Sequence, residues 1–269
     1  MGGHAAGQKA SSLAMNQLIL DLLNTVHWFL RSDEQNASGP HAEEKAKSDE
    51  QEFVDSLKGL LHQAHDRILT ASEIDESQRG MGTTLTLAYV IWPKMYVVHA
   101  GDSRCYLIRD RICEQITTDH TLARQLVEAG GLKPEEEAES RWGNVLWNVL
   151  GGHGKNELTA EVRLVELKPG DTVLLCSDGL SRYLSAEAIA EVFTETTQDL
   201  HAVCHHLVGL ANGAGGEDNV TVVVAKPTPA QSQPLGCGSQ PETVDDESDL
   251  KSETKNPYSD FSDEDTLPE

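Results

Sequence analysis

Positive charge is scarce in this chain: 21 Lys and Arg stand against 44 Asp and Glu, a formal net charge of -23 over 269 residues. So acidic a surface repels phosphate backbones, and no Lys/Arg run offers a compensating patch, which argues against nucleic acid as a partner. A basic protein partner or a metal ion suits the charge better. Cysteine is sparse too. The five (Cys105, Cys113, Cys176, Cys204 and Cys237) are odd in number and never fall at C-x-x-C spacing. Cys105 and Cys176 lie in apolar runs, the pattern of buried free thiols in a reducing compartment. No apolar run approaches the ~18 residues of a membrane span, and the N-terminus lacks a signal peptide's basic region and apolar stretch. The expectation is a cytoplasmic protein with no membrane association.

Several catalytic signatures are missing as well. No G-x-S-x-G elbow is present for serine hydrolase chemistry. Gly151-Gly-His-Gly-Lys155 has the look of a phosphate cradle but lacks the Walker spacing and the following Ser or Thr, and no G-x-G-x-x-G follows a strand. His201 and His205, like His62 and Asp66, stand four apart on expected helices. Without the glutamate of H-E-x-x-H they read as helix-surface residues.

Leu13, Leu18, Leu22, Val26 and Phe29 predict an amphipathic helix over 8–30, and Phe53, Leu57, Leu60, Leu61, Ala64 and Ile68 a second over 52–72. The polar stretch 31–51 between them reads as a mobile loop. From Gly80 the period becomes that of strands: 83–92 and 94–100 parted by Pro93, and 104–108 and 112–117 parted by Arg109-Asp110-Arg111, two antiparallel hairpins. A helix follows over 121–129, then a helical turn at 134–139. Residues 141–156 resist assignment. Strands are expected over 158–167, 172–177 and 220–225, and helices over 186–193, capped by Ser185, and 200–212, capped by Asp199. Residues 227–269 hold eleven Asp or Glu against two Lys and read as a disordered acidic tail. A folded domain over 1–226 is expected before it.

Three apolar strands begin or end at an aspartate beside a glycine or turn: Met95–Asp102, Thr172–Gly179 and Gly216–Val224. A single Asp-Gly is ordinarily a turn. Three of them at strand edges suggest converging carboxylates, oxygen ligands suited to Mg²⁺ or Mn²⁺ rather than Zn²⁺. Two such ions could share the carboxylates and activate a water for in-line attack on phosphorus, with no side-chain nucleophile.

The blocks Gly80-Met-Gly-Thr-Thr-Leu85, Val98-His-Ala-Gly-Asp-Ser-Arg-Cys-Tyr-Leu107, Thr117-Thr-Asp-His-Thr-Leu122, Leu150-Gly151, Lys168–Leu180 and Glu217–Val223 occur in an order that resembles the metal-dependent serine/threonine protein phosphatases of type 2C, the PPM type, in their bacterial form. The resemblance implies an α+β fold, a four-layer α-β-β-α sandwich of two antiparallel sheets flanked by helices. It implies Asp178 and Asp218 as ligands of two Mn²⁺ or Mg²⁺ ions, and Asp102 as ligand of a third, weaker one. Residues 119–157 correspond to a flap beside the site, with Trp142 and Trp147 its conspicuous features. The expected substrates are phosphoserine and phosphothreonine in proteins, the targets of a serine/threonine kinase, and a monomer is expected.

The opening Met1-Gly-Gly-His4 looks like the family's stretch just after an Asp-Gly that bridges both metals. The expectation is therefore a domain lacking its first strand and the N-terminal ligands. Two alternatives follow, a catalytically inactive phosphatase-like binding module and a phosphatase for a small phosphorylated molecule.

Overall fold

The computed structural model describes residues 4–35, 42–152, 157–195, 199–216 and 218–228. Two long helices come first, α1 (His4–Gln35) and α2 (Ala42–Ile74). The loop expected over 31–51 needs correction, because the helices run into it from both sides. Ala42-Glu-Glu-Lys-Ala-Lys47 is polar, yet made of strong helix formers, so polarity alone misplaced the boundary. Residues 36–41 lie outside the described residues.

The strands are β1 (Gly82–Thr83), β2 (Leu85–Ile91), β3 (Lys94–Ala100), β4 (Arg104–Arg109), β5 (Ile112–Gln115), β6 (Leu150–Gly151), β7 (Glu161–Glu166), β8 (Thr172–Cys176) and β9 (Val222–Ala225). All pairings are antiparallel. One sheet has the order β2-β3-β7, a second β5-β4-β8-β9, and β1 pairs with β6 in a two-residue ribbon. Among the described residues the further α-helices are α3 (Leu122–Glu128), α4 (Asp178–Ser181), α5 (Ala186–Glu195) and α6 (Leu200–Ala214). Thr121 Oγ1 accepts from Arg124 N at 3.1 Å and Asp199 Oδ1 from His201 N at 3.0 Å, capping α3 and α6.

The alternation of strand side chains sorts the core into three clusters and so defines four layers. Tyr96, Val98 and Ala100 of β3 face Phe53, Leu57, Leu61 and Ile68 of α2, with Ala10, Ala14 and Leu18 of α1 behind. Met95 and Val97, on the opposite face of β3, meet Cys105 and Leu107 of β4 and Val173 of β8 between the sheets. Tyr106, Ile108, Leu174 and Cys176 point outward to Ile189 and Val192 of α5 and Val203, Leu207 and Ala211 of α6. The expected α-β-β-α sandwich is what forms. Each fully buried Leu, Ile or Phe contributes about 1.5–3 kcal/mol.

Cys105, Cys113, Cys176 and Cys204 are free, and burial pushes the first three thiols up to about 12. At that value they are inert at neutral pH. Among the described residues no helix is long and apolar enough to cross a membrane. The acidic tail beyond residue 228 and Cys237 lie outside the described residues.

Candidate active site

Asp102 occupies the turn by which the chain leaves β3 in one sheet and enters β4 in the other. Gly101 makes that turn with φ of 123°, and a Cβ there would lie 2.4 Å from Thr84 Cγ2. Only glycine fits. Across the turn Thr84 Oγ1 and Ser103 Oγ share a hydrogen bond of 2.9 Å, and Thr86 Oγ1 lies 2.9 Å from Ser103 O.

Asp178 opens α4 directly after β8. The segment before β9 is laced onto it: Ser177 N donates to Thr221 O at 3.1 Å, and Thr221 N donates to Ser177 Oγ at 3.0 Å. A Cβ on Gly179 would sit 2.4 Å from Asn219 O, so glycine permits this close approach. Asp218 is exposed, and its Oδ1 accepts from Asn219 N at 2.7 Å.

Electrostatics join the first two aspartates. Burial, and then the negative charges of Asp178 and Asp119, push the Asp102 carboxyl up to about 6, against a smaller opposing pull from Arg182. Arg182 Nη2 donates to Asp178 Oδ2. Asp102, Asp178 and Asp119, from three segments, thus feel one another's charge; Asp218 is not among them, and among the described residues the three predicted aspartates do not form a group with all ligand atoms within 4.8 Å of one another.

A second cluster was not legible from spacing. His99, His120 and Glu161 are the one group of three His, Cys or acidic residues, among the described residues, whose ligand atoms all lie within 4.8 Å of one another. It does not suit a metal. Gly101 N–H occupies His120 Nδ1 at 3.0 Å, and His120 Nε2 faces Glu161 Oε2 at 3.2 Å. His99 Nε2 faces Thr118 O at 3.1 Å, and the two imidazoles stack at 4.8 Å, so their lone pairs do not converge. His201 and His205 do meet on α6, with ring centroids 4.4 Å apart. No third His, Cys or acidic residue joins them among the described residues.

Within residues 119–157 Trp147 packs edge-on to His120 at 5.1 Å, and Arg141 lies over the Trp142 ring at 4.6 Å. Residues 153–156 of the glycine-rich stretch and Glu217 lie outside the described residues. Sequence reasoning passed over Arg104, Asp119, His120, Glu161 and Arg182. Arg104, Asp119 and His120 stand inside the blocks already noted, which was the available signal.

Residues 26–128 match the family model described as Protein phosphatase 2C. Protein phosphatase PhpP of Streptococcus pneumoniae is 34% identical over 232 residues, covering 83% of this chain and 81% of that protein. The chain belongs to the protein phosphatase 2C family. Serine/threonine protein phosphatase PstP of Mycobacterium tuberculosis is 35% identical over 242 residues, 89% of this chain but 42% of PstP, so the chain spans under half the length of that relative. The crystal structure of the PstP catalytic domain in complex with two manganese ions superposes with a TM-score of 0.62 at 34% identity, covering 83% of each chain. Within the 2C family frame the α-β-β-α sandwich is the shared architecture, with Asp102 and Asp218 on connecting segments and Asp178 opening α4.

Proposed function

We propose that this chain is a metal-dependent protein serine/threonine phosphatase that hydrolyses phosphoserine and phosphothreonine in proteins phosphorylated by a serine/threonine kinase. Asp178 and Asp218 would hold two Mn²⁺ or Mg²⁺ ions, and Asp102 a third. The observation that carries the reading is membership of the protein phosphatase 2C family, with Asp102 and Asp178 set where β3 and β8 end. When bound, such ions supply activation of water and neutralisation of charge on the phosphoryl oxygens. The chain's own residues provide the ligands and their fixed positions. Gly101 and Gly179 allow the tight backbone approaches that set Asp102 and Asp178, and Arg182 balances Asp178 from within the protein. A protein substrate needs an open approach, and the exposure of Asp218 agrees with that. The protein would work as a monomer in the cytoplasm. The comparisons lend no support to the inactive binding module.

The test is phosphate release from phosphothreonine and phosphoserine peptides and from small phosphorylated metabolites, with Mn²⁺, Mg²⁺ or EDTA. Release from the peptides with Mn²⁺ that EDTA abolishes is expected. Turnover of metabolites alone, or none above a protein-free control, would overturn the reading.

A further inference from the structure

The turn carrying Asp102 is held from the flap side by one imidazole. His120 N donates to Gly101 O at 2.8 Å, and Gly101 N donates back to His120 Nδ1 at 3.0 Å. A backbone amide can only donate, so Nδ1 carries no proton and the ring N–H is at Nε2, 3.2 Å from Glu161 Oε2. Asn148 also aims its Nδ2 at Nδ1, at 2.9 Å. Its amide orientation is fixed by Thr159, which donates N–H to Oδ1 at 3.0 Å and accepts from Nδ2 at 2.9 Å. The ring is buried between His99 and Trp147, and Trp147 N donates to His120 O at 3.1 Å. One side chain therefore ties the Gly101–Asp102 turn to the start of β7 and to the Trp147–Asn148 segment.

We propose that His120 is a positioning residue for Asp102: its unprotonated Nδ1 anchors the buried Gly101 amide, and Glu161 fixes the tautomer that keeps Nδ1 an acceptor. The proposal rests on the reading of Asp102 as a metal ligand. Gly101 has a permissive backbone, so the geometry of the turn must be imposed by its partners. Removing the acceptor orphans a buried donor, which the turn can satisfy only by moving. Loss of Glu161 frees the ring proton to occupy Nδ1, where it would oppose the Gly101 N–H. Partners that orient ligands in this way typically govern metal affinity by about 10–100-fold.

The experiment uses the full chain and two readouts. Mn²⁺ binding is followed by calorimetry, and solvent exchange of the Gly101 amide by NMR without metal, for wild type, His120→Ala, His120→Asn, Glu161→Ala and Glu161→Gln, with folding checked by circular dichroism. In His120→Ala and Glu161→Ala the weakest Mn²⁺ site should lose about 10–100-fold in affinity while tighter sites keep theirs, and Gly101 exchange should accelerate at least ~10-fold. His120→Asn, whose Oδ1 can stand in for Nδ1, and Glu161→Gln, which keeps an acceptor for Nε2–H, should restore both. Should His120→Ala fail to fold, the Glu161 pair carries the test. Wild-type-like Mn²⁺ binding and Gly101 exchange in a folded alanine variant overturn the positioning role alone. Equal weakening of every site overturns it in favour of a structural role. A wild type that binds no Mn²⁺ overturns the metal reading together with this proposal.

Discussion

Arg104 grips Asp119 through a forked contact: Nε lies 2.9 and 3.1 Å from the two carboxylate oxygens, and Nη2 lies 2.7 Å from Oδ2. The remaining guanidinium arm donates to the Tyr106 hydroxyl at 3.0 Å. The pair fastens β4 to the segment that leads into His120, so the two sides of the Asp102 turn share one clamp. Lysine cannot reproduce the fork. Arg104→Lys should lower stability by about 1–2 kcal/mol and Arg104→Ala by about 3, because the latter leaves a largely buried carboxylate without its counter-charge, held only by Gln115 Nε2 at 2.9 Å. Urea unfolding monitored by tryptophan fluorescence measures both.

His99 sets a pH dependence. Burial, reinforced by the neighbouring His120, lowers it to about 4 from an ordinary 6.5, against smaller opposing effects from Glu161, the Thr118 carbonyl and Asp119. Between those values the unfolded chain binds a proton that the native chain refuses, so stability rises with pH across this window and falls on acidification. The full difference is about 3 kcal/mol. Unfolding free energies at pH 7, 6, 5 and 4 should fall more steeply for wild type than for His99→Gln, and parallel curves would contradict the assignment.

If Asp178 is a metal ligand as proposed, Arg182, which donates to its Oδ2, would compete with an incoming cation. Replacing it by Gln should tighten Mn²⁺ binding roughly fivefold, the affinity equivalent of the ~1 kcal/mol that a partly exposed ion pair contributes. Calorimetric titration of the variant measures this, and weaker binding would mean that Arg182 supports the ions instead.

Phe53 joins the first helical layer to the sheet, with its ring edge-on to Tyr96 at 4.9 Å and tilted against Tyr89 at 5.7 Å. It is fully buried. Phe53→Ala should cost about 3–5 kcal/mol. A midpoint unchanged in thermal unfolding would show that α2 does not contribute to the cooperative core.

The layers were legible because their signals are local. The apolar stripe of α2, the hairpin periodicity from Thr83 to Gln115 and the cap Asp199 all act within a few residues. The pairing of β1 with β6 was not, since two residues on each side carry no periodicity and the partners are nearly seventy positions apart. Asp102, Asp178 and Asp218 stood out because each closes or opens an apolar strand beside a glycine or turn. His120 and Glu161 did not: one follows a loop and the other starts a strand with no buried residue, and their contact across 41 positions exists only after folding. Arg182 escaped notice for a different reason. It pairs with Asp178 four positions earlier, an ordinary helical spacing until the α4 geometry places it at the carboxylate group.

The central claim, that Asp178 and Asp218 hold divalent ions which support phosphoryl hydrolysis, is tested most directly by one side-by-side titration. Mn²⁺ binding by calorimetry and phosphothreonine-peptide turnover would be measured on the same preparations of wild type, Asp178→Asn and Asp218→Asn. The account predicts that wild type binds at least two Mn²⁺, that each variant loses at least one site, and that turnover falls by at least ~100-fold in step with that loss. Unchanged Mn²⁺ stoichiometry and unchanged turnover in either folded variant would contradict it.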